Sequence, residues 1–151
     1  METRPLNVPA ASVCFDVDPG LGPLAKWLRI LGFDAAYPCK EPSSGRFFVT
    51  VRQAAGRFGT ITVRSADVLE QVKQVLDEMA VAPDPGLFFS RCLLCNVPVR
   101  PVSREQVAGK VPDHIAELVS EFNECPNCGR IYWQGSHFGR IKARLKEAGV
   151  P

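Results

Sequence analysis

The stretch VCFDVDPGLGPLAKWLRILG, residues 13–32, joins a strand pattern directly to a helix pattern. Apolar residues alternate at Val13, Phe15 and Val17, and this period of two predicts a strand. After the breaker residues 18–20, leucines recur at spacings of three and four, which predicts one buried face of a helix. A strand that leads into a helix in this way is the first half of an α/β unit.

Further strand and helix patterns follow along the chain. Short strands are predicted at 35–37, 47–51 and 60–63, and Ser65 is the expected N-cap of a second amphipathic helix. The apolar face of that helix consists of Val68, Leu69, Val72, Val75, Leu76 and Met79. The alternation of strands and helices predicts an α/β layer with a mostly parallel sheet, which we place in residues 1–81.

A second module is predicted after the proline-rich linker at 82–86. Its sequence has shorter apolar runs, with a capping box at Ser103-Arg-Glu-Gln106 and a further helix start at Asp113. Ser136 is the expected N-cap of a last, basic helix. We expect this module to span residues 88–151.

Composition narrows the class of protein. The chain has 151 residues, 46% of them hydrophobic, and its 18 basic and 16 acidic residues give a net charge of +2. That charge is too small for a protein coated by nucleic acid over its whole surface, although five basic residues and one acidic residue lie from Gly129 onward. No apolar run reaches the roughly 18 residues that span a membrane, and the N-terminus shows no apolar signal region. We therefore expect a cytoplasmic protein that does not enter a membrane.

Four of the six cysteines form two Cys-x-x-Cys pairs, which are Cys92 with Cys95 and Cys125 with Cys128. Each pair can form a tight turn that directs two thiolates to one point, and zinc takes four such ligands in a tetrahedron. Because four thiolates leave no position for a reacting water, the predicted zinc is structural. Disulfides, a redox-active pair and an iron–sulfur cluster are the alternatives that the spacing leaves open.

Three aspartates, Asp16, Asp18 and Asp34, are predicted near the ends of the first strand and the first helix. Carboxylates at the carboxyl edge of a parallel sheet are well placed to hold a divalent cation. Cleavage of a phosphodiester with Mg²⁺ or Mn²⁺ needs several such carboxylates. The alternative for Asp18 is a turn-forming role before Pro19 and Gly20.

Basic and aromatic side chains gather near the last helix. The candidate RNA contacts there are Arg130, Trp133, His137, Arg140, Lys142 and Arg144. A stacking ring combined with cations that contact phosphates is a common way to hold single-stranded RNA. The alternatives are that Trp133 packs the second module against the first and that the helix presents a solvated basic face.

Three blocks of the chain resemble the Mut-seven C-terminal RNase domain family and follow its order. They are FDVDPGLGPLAKWLRILGFD at 15–34, FSRCLLCN at 89–96 and FNECPNCGRIYWQGSH at 122–137. The resemblance implies a PIN-like nuclease fold fused to a C-terminal zinc ribbon, with RNA as the substrate and a divalent metal as a cofactor. It also implies catalytic roles for Asp18, at the first acidic position, and for Asp34, after the first helix.

The resemblance is incomplete after Asp34. The family continues through an acidic helix into a strand that ends in Thr-Arg-Asp, whereas the segment 38–45 is short here and Arg52 stands where the last Asp is expected. A guanidinium in a carboxylate site opposes cation binding. We expect Arg52 either to pair with Asp18 or to contact an RNA phosphate, and Glu41 is the remaining candidate for a replacement carboxylate.

Two functions follow from these residues. The first is an active metal-dependent endoribonuclease that uses Mg²⁺ or Mn²⁺ beside a structural zinc. The second is a catalytically impaired relative that keeps the scaffold and binds RNA or a protein partner. The incomplete set of carboxylates favours the second, so we predict little or no nuclease activity with divalent metals.

Overall fold

The computed structural model describes residues 12–52 and 59–150. The first half of the chain contains β1 (Cys14–Val17), α1 (Gly22–Ile30), β2 (Asp34–Ala36), β3 (Phe47–Thr50), β4 (Thr60–Thr62) and α2 (Val68–Met79). The second half contains β5 (Arg100–Val102), α3 (Arg104–Val107), α4 (Asp113–Leu118), β6 (Phe122–Glu124), β7 (Ile131–Tyr132) and α5 (Ser136–Glu147). This element order confirms the predicted mixed α/β class.

The first four strands form one parallel sheet in the order β2-β1-β3-β4. Strand β1 therefore has β2 on one side and β3 on the other, and the chain order reverses between β1 and β3. In open parallel sheets, ligands bind in the crevice beyond the carboxyl ends of the strands at such a reversal. Asp18 follows β1, and Arg52 lies two residues after β3, so both residues lie at this crevice.

The main core covers one face of the parallel sheet. Phe15 and Val17 of β1 point into it and are fully buried. The leucines at 24 and 28 of α1, and those at 21 and 31 that flank the helix, are buried with them. Helix α2 adds Val72, Val75, Leu76 and Met79 to the same cluster. Burial of the α1 leucines confirms the helix face that their spacing predicts.

The opposite face of the sheet is covered by a loop, residues 37–46, instead of the acidic helix that the resemblance leads one to expect. This loop connects β2 to β3 and contacts Asp16, whose side chain points away from the core because strand side chains alternate. A connection between parallel strands usually needs a crossover of a dozen or more residues. Ten residues suffice here because the strands are only three or four residues long, and ten extended residues reach about 33 Å.

Two of the three predicted helix caps are corrected by one or two residues. Asp67, not Ser65, caps α2 by accepting hydrogen bonds from the backbone N–H groups of Leu69 and Glu70. Helix α5 begins at Ser136 itself, after Gly135. The capping box at Ser103 is confirmed, with both reciprocal hydrogen bonds to Gln106.

The second half of the chain forms a small antiparallel sheet, β5-β6-β7, with its own core. That core consists of Val107, Val111 and Phe122, and Trp133 packs against it with its ring 6.3 Å from the ring of Phe122. Helix α5 then returns to the first half, because Leu145 is buried in the main core. The division of the chain at 82–86 stays a prediction.

Candidate functional site

The four cysteines of the two Cys-x-x-Cys pairs converge. The sulfur atoms of Cys92, Cys95, Cys125 and Cys128 all lie within 4.8 Å of one another. A tetrahedral zinc site with Zn–S bonds of about 2.3 Å has sulfur–sulfur edges of about 3.8 Å, and Cys92 Sγ lies 3.7 Å from Cys128 Sγ. All four cysteines are free thiols, so this donor set fits a zinc ion.

Neighbouring groups donate hydrogen bonds to these sulfurs. The Tyr132 hydroxyl lies 3.1 Å from Cys92 Sγ, and the Asn127 side-chain amide lies 3.2 Å from Cys95 Sγ. The backbone N–H groups of Asn127 and Cys128 both lie 3.4 Å from Cys125 Sγ. Although burial raises the pKa of Cys92, hydrogen bonds from the Tyr132 hydroxyl and from the backbone N–H groups of Cys95 and Leu94 lower it to about 6, so the Cys92 thiolate, the form that a metal requires, is favoured.

The first cysteine turn is docked onto the parallel sheet. Buried Arg29 of α1 donates to the carbonyls of Leu93 and Ala35, at 2.9 Å each. The Asn96 side chain accepts a hydrogen bond from Ala35 N at 2.9 Å and donates one to Asp34 Oδ1 at 2.8 Å. This cysteine turn is therefore held directly on the edge strand β2.

Three aspartates, Asp16, Asp18 and Asp34, lie on the face of the parallel sheet opposite the helices, and we call this the acidic face. Arg46 joins two of them, because its Nε lies 2.6 Å from Asp16 and its two terminal nitrogens lie 2.6 and 3.1 Å from the Asp34 oxygens. Ser43 also donates to Asp16 through both its backbone N–H and its hydroxyl. Asp16 and Asp34 thus share one guanidinium.

The bonds to Arg46 stabilise the charged forms of these acids. For Asp34, the Arg46 hydrogen bonds outweigh partial burial and lower the pKa from 3.8 to about 2. For Asp16, burial raises the pKa, but the hydrogen bonds from Ser43 and Arg46 outweigh it and leave the pKa lowered. The same bonds stabilise the charged form of Arg46, so its two carboxylate partners raise its pKa. This cluster has the character of a structural ion-pair network.

Asp18 lies at the carboxyl edge with a different partner. Its carboxylate accepts a hydrogen bond of 2.5 Å from the Thr50 hydroxyl and one of 3.1 Å from Arg52 Nε. The Arg52 side chain is 63% exposed and also donates to the Lys40 carbonyl, whereas the Asp18 side chain is only 13% exposed. Of the two roles expected for Arg52, the ion pair with Asp18 is present.

Asp18 and Asp34 lie at opposite ends of the acidic face. Asp34 pairs in register with Cys14, four residues before Asp18, which places the two aspartates about 13 Å apart along the strands. Within the described ranges 12–52 and 59–150, the four cysteines form the one group of three or more His, Cys, Asp or Glu side chains that could hold a metal ion. Glu41 is exposed and joins no such group. The geometry brings Asp16 and Asp34 together through an arginine and keeps Asp18 apart.

The basic residues predicted to contact RNA are spread around α5 and the turn before β7. Arg130, Arg140, Lys142 and Arg144 are all exposed. The Lys142 ammonium lies 4.8 Å from the Phe138 ring centre, and the Arg144 guanidinium lies 5.4 Å from that of Trp27. Trp133 packs on the second core, and the side chain of His137 lies outside the described part of the structure.

The family model of the Mut7-C RNAse domain matches residues 14–145, which is nearly the whole chain. The chain belongs to the Mut7-C RNase domain family. This family suggests a nuclease-like role in RNA processing. Neither a curated protein nor a solved structure matches the chain. Among the described helices, none is both long enough and apolar enough to cross a membrane.

Sequence reasoning on this Mut7-C chain missed the residues that organise both sites. Arg46 and Ser43 lie in a loop whose composition predicts only a turn, so their partners on β1 become visible only when the loop is folded. Asn96 directly follows the second cysteine of a motif, and that position was its one available signal. Arg29 had no signal, because a cation within an amphipathic helix is normally assigned to the solvated face.

Proposed function

We propose that this Mut7-C chain binds RNA in an RNA-processing role and does not itself cleave RNA with a divalent metal ion. The observation that supports this proposal is the pairing of every aspartate of the acidic face with an arginine. Arg46 holds Asp16 and Asp34, and Arg52 holds Asp18. A cation at any of these carboxylates would meet a fixed positive charge.

The size of that repulsion argues against metal-dependent cleavage. A positive charge about 4 Å from a bound cation costs about 4 kcal/mol for each elementary charge of the cation, at an effective dielectric constant of about 20. Moving Arg46 away would break bonds to two carboxylates and to the Phe15 carbonyl. Arg52 is easier to displace, yet that would expose only Asp18, and a single carboxylate leaves the rest of the coordination sphere of Mg²⁺ to water and substrate phosphates.

The same arginine supports a binding role. Arg52 lies at the chain reversal of the parallel sheet, is largely exposed, and is oriented by Asp18 and the Lys40 carbonyl. An oriented guanidinium is well suited to a phosphate oxygen. Arg130, Arg140, Lys142 and Arg144 add further exposed positive charge for phosphate contacts. We place RNA on this combined surface.

Zinc is the ion that we propose for the cysteine centre. Cys92, Cys95, Cys125 and Cys128 would hold it, and when bound it supplies a crosslink between the two cysteine turns. The four thiolates complete a tetrahedron, so this centre serves folding. A cytoplasmic location and binding of a protein partner are further proposals that rest on the sequence alone.

The test is a cleavage and binding assay on the whole chain. Labelled single-stranded and hairpin RNAs are incubated with the protein, with and without added Mn²⁺ or Mg²⁺, and resolved on native and denaturing gels. We expect RNA to be retarded on the native gel and to stay full length on the denaturing gel, with Asp18→Asn behaving like the parent. If RNA is not retarded, the binding proposal is wrong.

Family membership favours a second candidate, a metal-dependent endoribonuclease that uses Mg²⁺ or Mn²⁺. Asp18 would then be its acid at the carboxyl edge. The same assay separates the two functions. Cleavage that requires Mn²⁺ and is abolished by Asp18→Asn would establish the nuclease and overturn our first proposal.

A further inference from the structure

A groove of about 700 Å³ lies between the two halves of the chain. Its walls come from the start of α1, from β7 with the residue that follows it, and from α5. The residues that matter below are Lys26, Trp27, Tyr132, Trp133 and Arg144. Sites for small organic ligands have volumes of about 300–1,000 Å³, so the groove has room for a nucleotide-sized group.

The aromatic walls of the groove are held in place from behind. Trp27 is 8% exposed and belongs to the main core, while Trp133 packs against Phe122 of the second core. The Tyr132 hydroxyl is bonded to Leu93 N at 3.0 Å and to Cys92 Sγ, which fixes its ring. Aromatic rings that are already fixed lose little conformational freedom when a planar ligand stacks on them.

The charges at the groove are of one sign. The two charged residues that line it, Lys26 and Arg144, are both cationic and exposed. Among the described residues, neither forms an ion pair with an acidic side chain. Arg144 already lies over the Trp27 ring, so its planar guanidinium can cover a base that enters beside it. An apolar aromatic slot with unneutralised cations at its rim is complementary to a nucleobase with its flanking phosphates.

The groove also lies close to the carboxyl edge of the sheet. Gly22, at the start of α1, lines it and follows Asp18 by four residues, which limits their separation to about 14 Å. Two or three nucleotides of extended RNA cover such a distance. A strand that places a base in the groove can therefore reach Arg52 with a nearby phosphate.

We propose that this groove is a binding site for an unpaired nucleobase of single-stranded RNA, which stacks on the aromatic wall formed by Tyr132 and Trp133 while Lys26 and Arg144 contact the adjoining phosphates. This inference rests on the proposed RNA-binding function and adds the site and the single-stranded preference to it. It places Lys26 and Trp27 of α1 in the RNA site beside the residues of the second half of the chain.

Intrinsic fluorescence provides a direct readout, because the chain has two tryptophans and both line the groove. The whole protein is titrated with a uridine decamer and, separately, with an abasic phosphodiester decamer of equal charge. We expect the uridine decamer to quench tryptophan emission and to bind at least tenfold more tightly than the abasic decamer, since stacking is worth about 1–3 kcal/mol per base.

Charge-reversal variants locate the site. Lys26→Glu and Arg144→Glu are expected to weaken binding of the uridine decamer about tenfold and to make the slope of log K against log salt shallower by about 0.7 each. Lys73→Glu on α2 is the matched control, because it makes the same charge change at an exposed helical lysine outside the groove. It should lower affinity less than threefold. Circular dichroism and metal content show which variants are folded.

Four results would overturn this inference. If the decamer binds without quenching, and if Lys26→Glu and Lys73→Glu lose the same affinity, the groove is not the RNA site, although the RNA-binding function stands. Equal affinity for the uridine and abasic decamers would show that the groove does not bind a nucleobase. Tighter binding and stronger quenching by a polyglutamate decamer would assign the groove to an acidic peptide instead. Absence of all decamer binding would overturn the proposed function as well.

Discussion

The cysteine centre and the acidic face both gather side chains that can bind metal ions, yet they leave those side chains in opposite states. The four cysteine sulfurs lie within 4.8 Å of one another, and hydrogen bonds lower the pKa of Cys92 to about 6 despite its burial. The three carboxylates of the acidic face are each bonded to a guanidinium of the chain itself. Charged ligands need a partner of opposite charge. On the acidic face the chain itself supplies that partner, whereas we propose that a zinc ion supplies it at the cysteine centre.

This difference follows from how the chain brings each set of side chains together. The cysteine turns consist of residues that are near in sequence, and each turn positions two sulfurs locally. The acidic face is covered by the loop 37–46, which carries Arg46 and Ser43 to β1. This loop thus supplies the cation that Asp16 and Asp34 share.

The largest effect is expected from Cys125→Ser. Cys125 is fully buried, and loss of one thiolate removes a ligand from a site whose metal binding supplies folding free energy on the order of 10 kcal/mol. We expect the parent to contain one zinc per chain by elemental mass spectrometry. The variant should contain less than a tenth of that and should lose the second core. Cys39→Ser, at a half-buried cysteine outside the centre, should retain one zinc; equal zinc in both variants would contradict the assignment.

The second prediction compares how much stability is lost when each arginine of the acidic face is replaced. Arg46→Met leaves Asp16, whose side chain is 4% exposed, without its cation, and breaking such a buried pair costs about 3 kcal/mol. Arg52→Met breaks a pair whose arginine is 63% exposed, and this change should cost less than about 1 kcal/mol. Urea unfolding of both variants measures the two costs. Similar losses would show that Arg46 is not the residue that closes the acidic face.

The pH dependence of the Arg46→Met loss provides a second measurement. The pKa of Asp34 falls from 3.8 to about 2 on folding, so between these values the unfolded chain binds more protons than the folded one. The stability that this pair contributes is therefore complete above pH 4 and decreases as the pH falls towards 2. The difference between parent and Arg46→Met should be constant from pH 7 to pH 5 and should shrink from pH 4 downward. A difference that grows in acid would contradict this assignment.

The features that could be predicted from the sequence are those set by local spacing. The leucines of α1 and the two Cys-x-x-Cys turns have fixed spacings, and their burial and convergence follow from those spacings. The capping box at Ser103 is local in the same way. At the start of α2, both Ser65 and Asp67 are residue types that can cap a helix. The choice of Asp67 depends on the path of the folded backbone.

The features that could not be predicted depend on strand register and on the loop path. Asp18 and Asp34 are close in sequence to the ends of β1 and α1, which suggests one cluster. The register of β2 against β1 instead places Asp34 beside Cys14, at the far end of the sheet from Asp18. The role of Arg46 depends on the path of a ten-residue loop over β1. Such contacts have no period or motif that a sequence displays.

The last prediction tests whether the two regions are coupled, since Asn96 of the first cysteine turn bonds to Asp34 of the acidic face. Asn96 follows Cys95, adopts a left-handed φ of 64°, and bonds to both Ala35 N and Asp34 Oδ1. Asn96→Gly keeps the left-handed backbone accessible and removes only the two side-chain bonds. Net hydrogen bonds contribute about 1 kcal/mol each, and the bond to charged Asp34 somewhat more, so the loss of stability should be about 2 kcal/mol.

The informative readout for Asn96→Gly is zinc release to an excess of chelator. If docking on β2 holds the Cys92–Cys95 turn closed, the variant should release zinc about tenfold faster, because about 1.4 kcal/mol of the lost stability then appears in local opening of the turn. Leu94→Ala changes an exposed residue of the same turn and should release zinc at the parental rate. If Asn96→Gly loses stability yet releases zinc at the parental rate, the acidic face and the cysteine centre fold as neighbours without coupling. A rate that rises in Asn96→Gly and also in Arg46→Met, which disturbs Asp34 from the other side, would show that the coupling passes through Asp34.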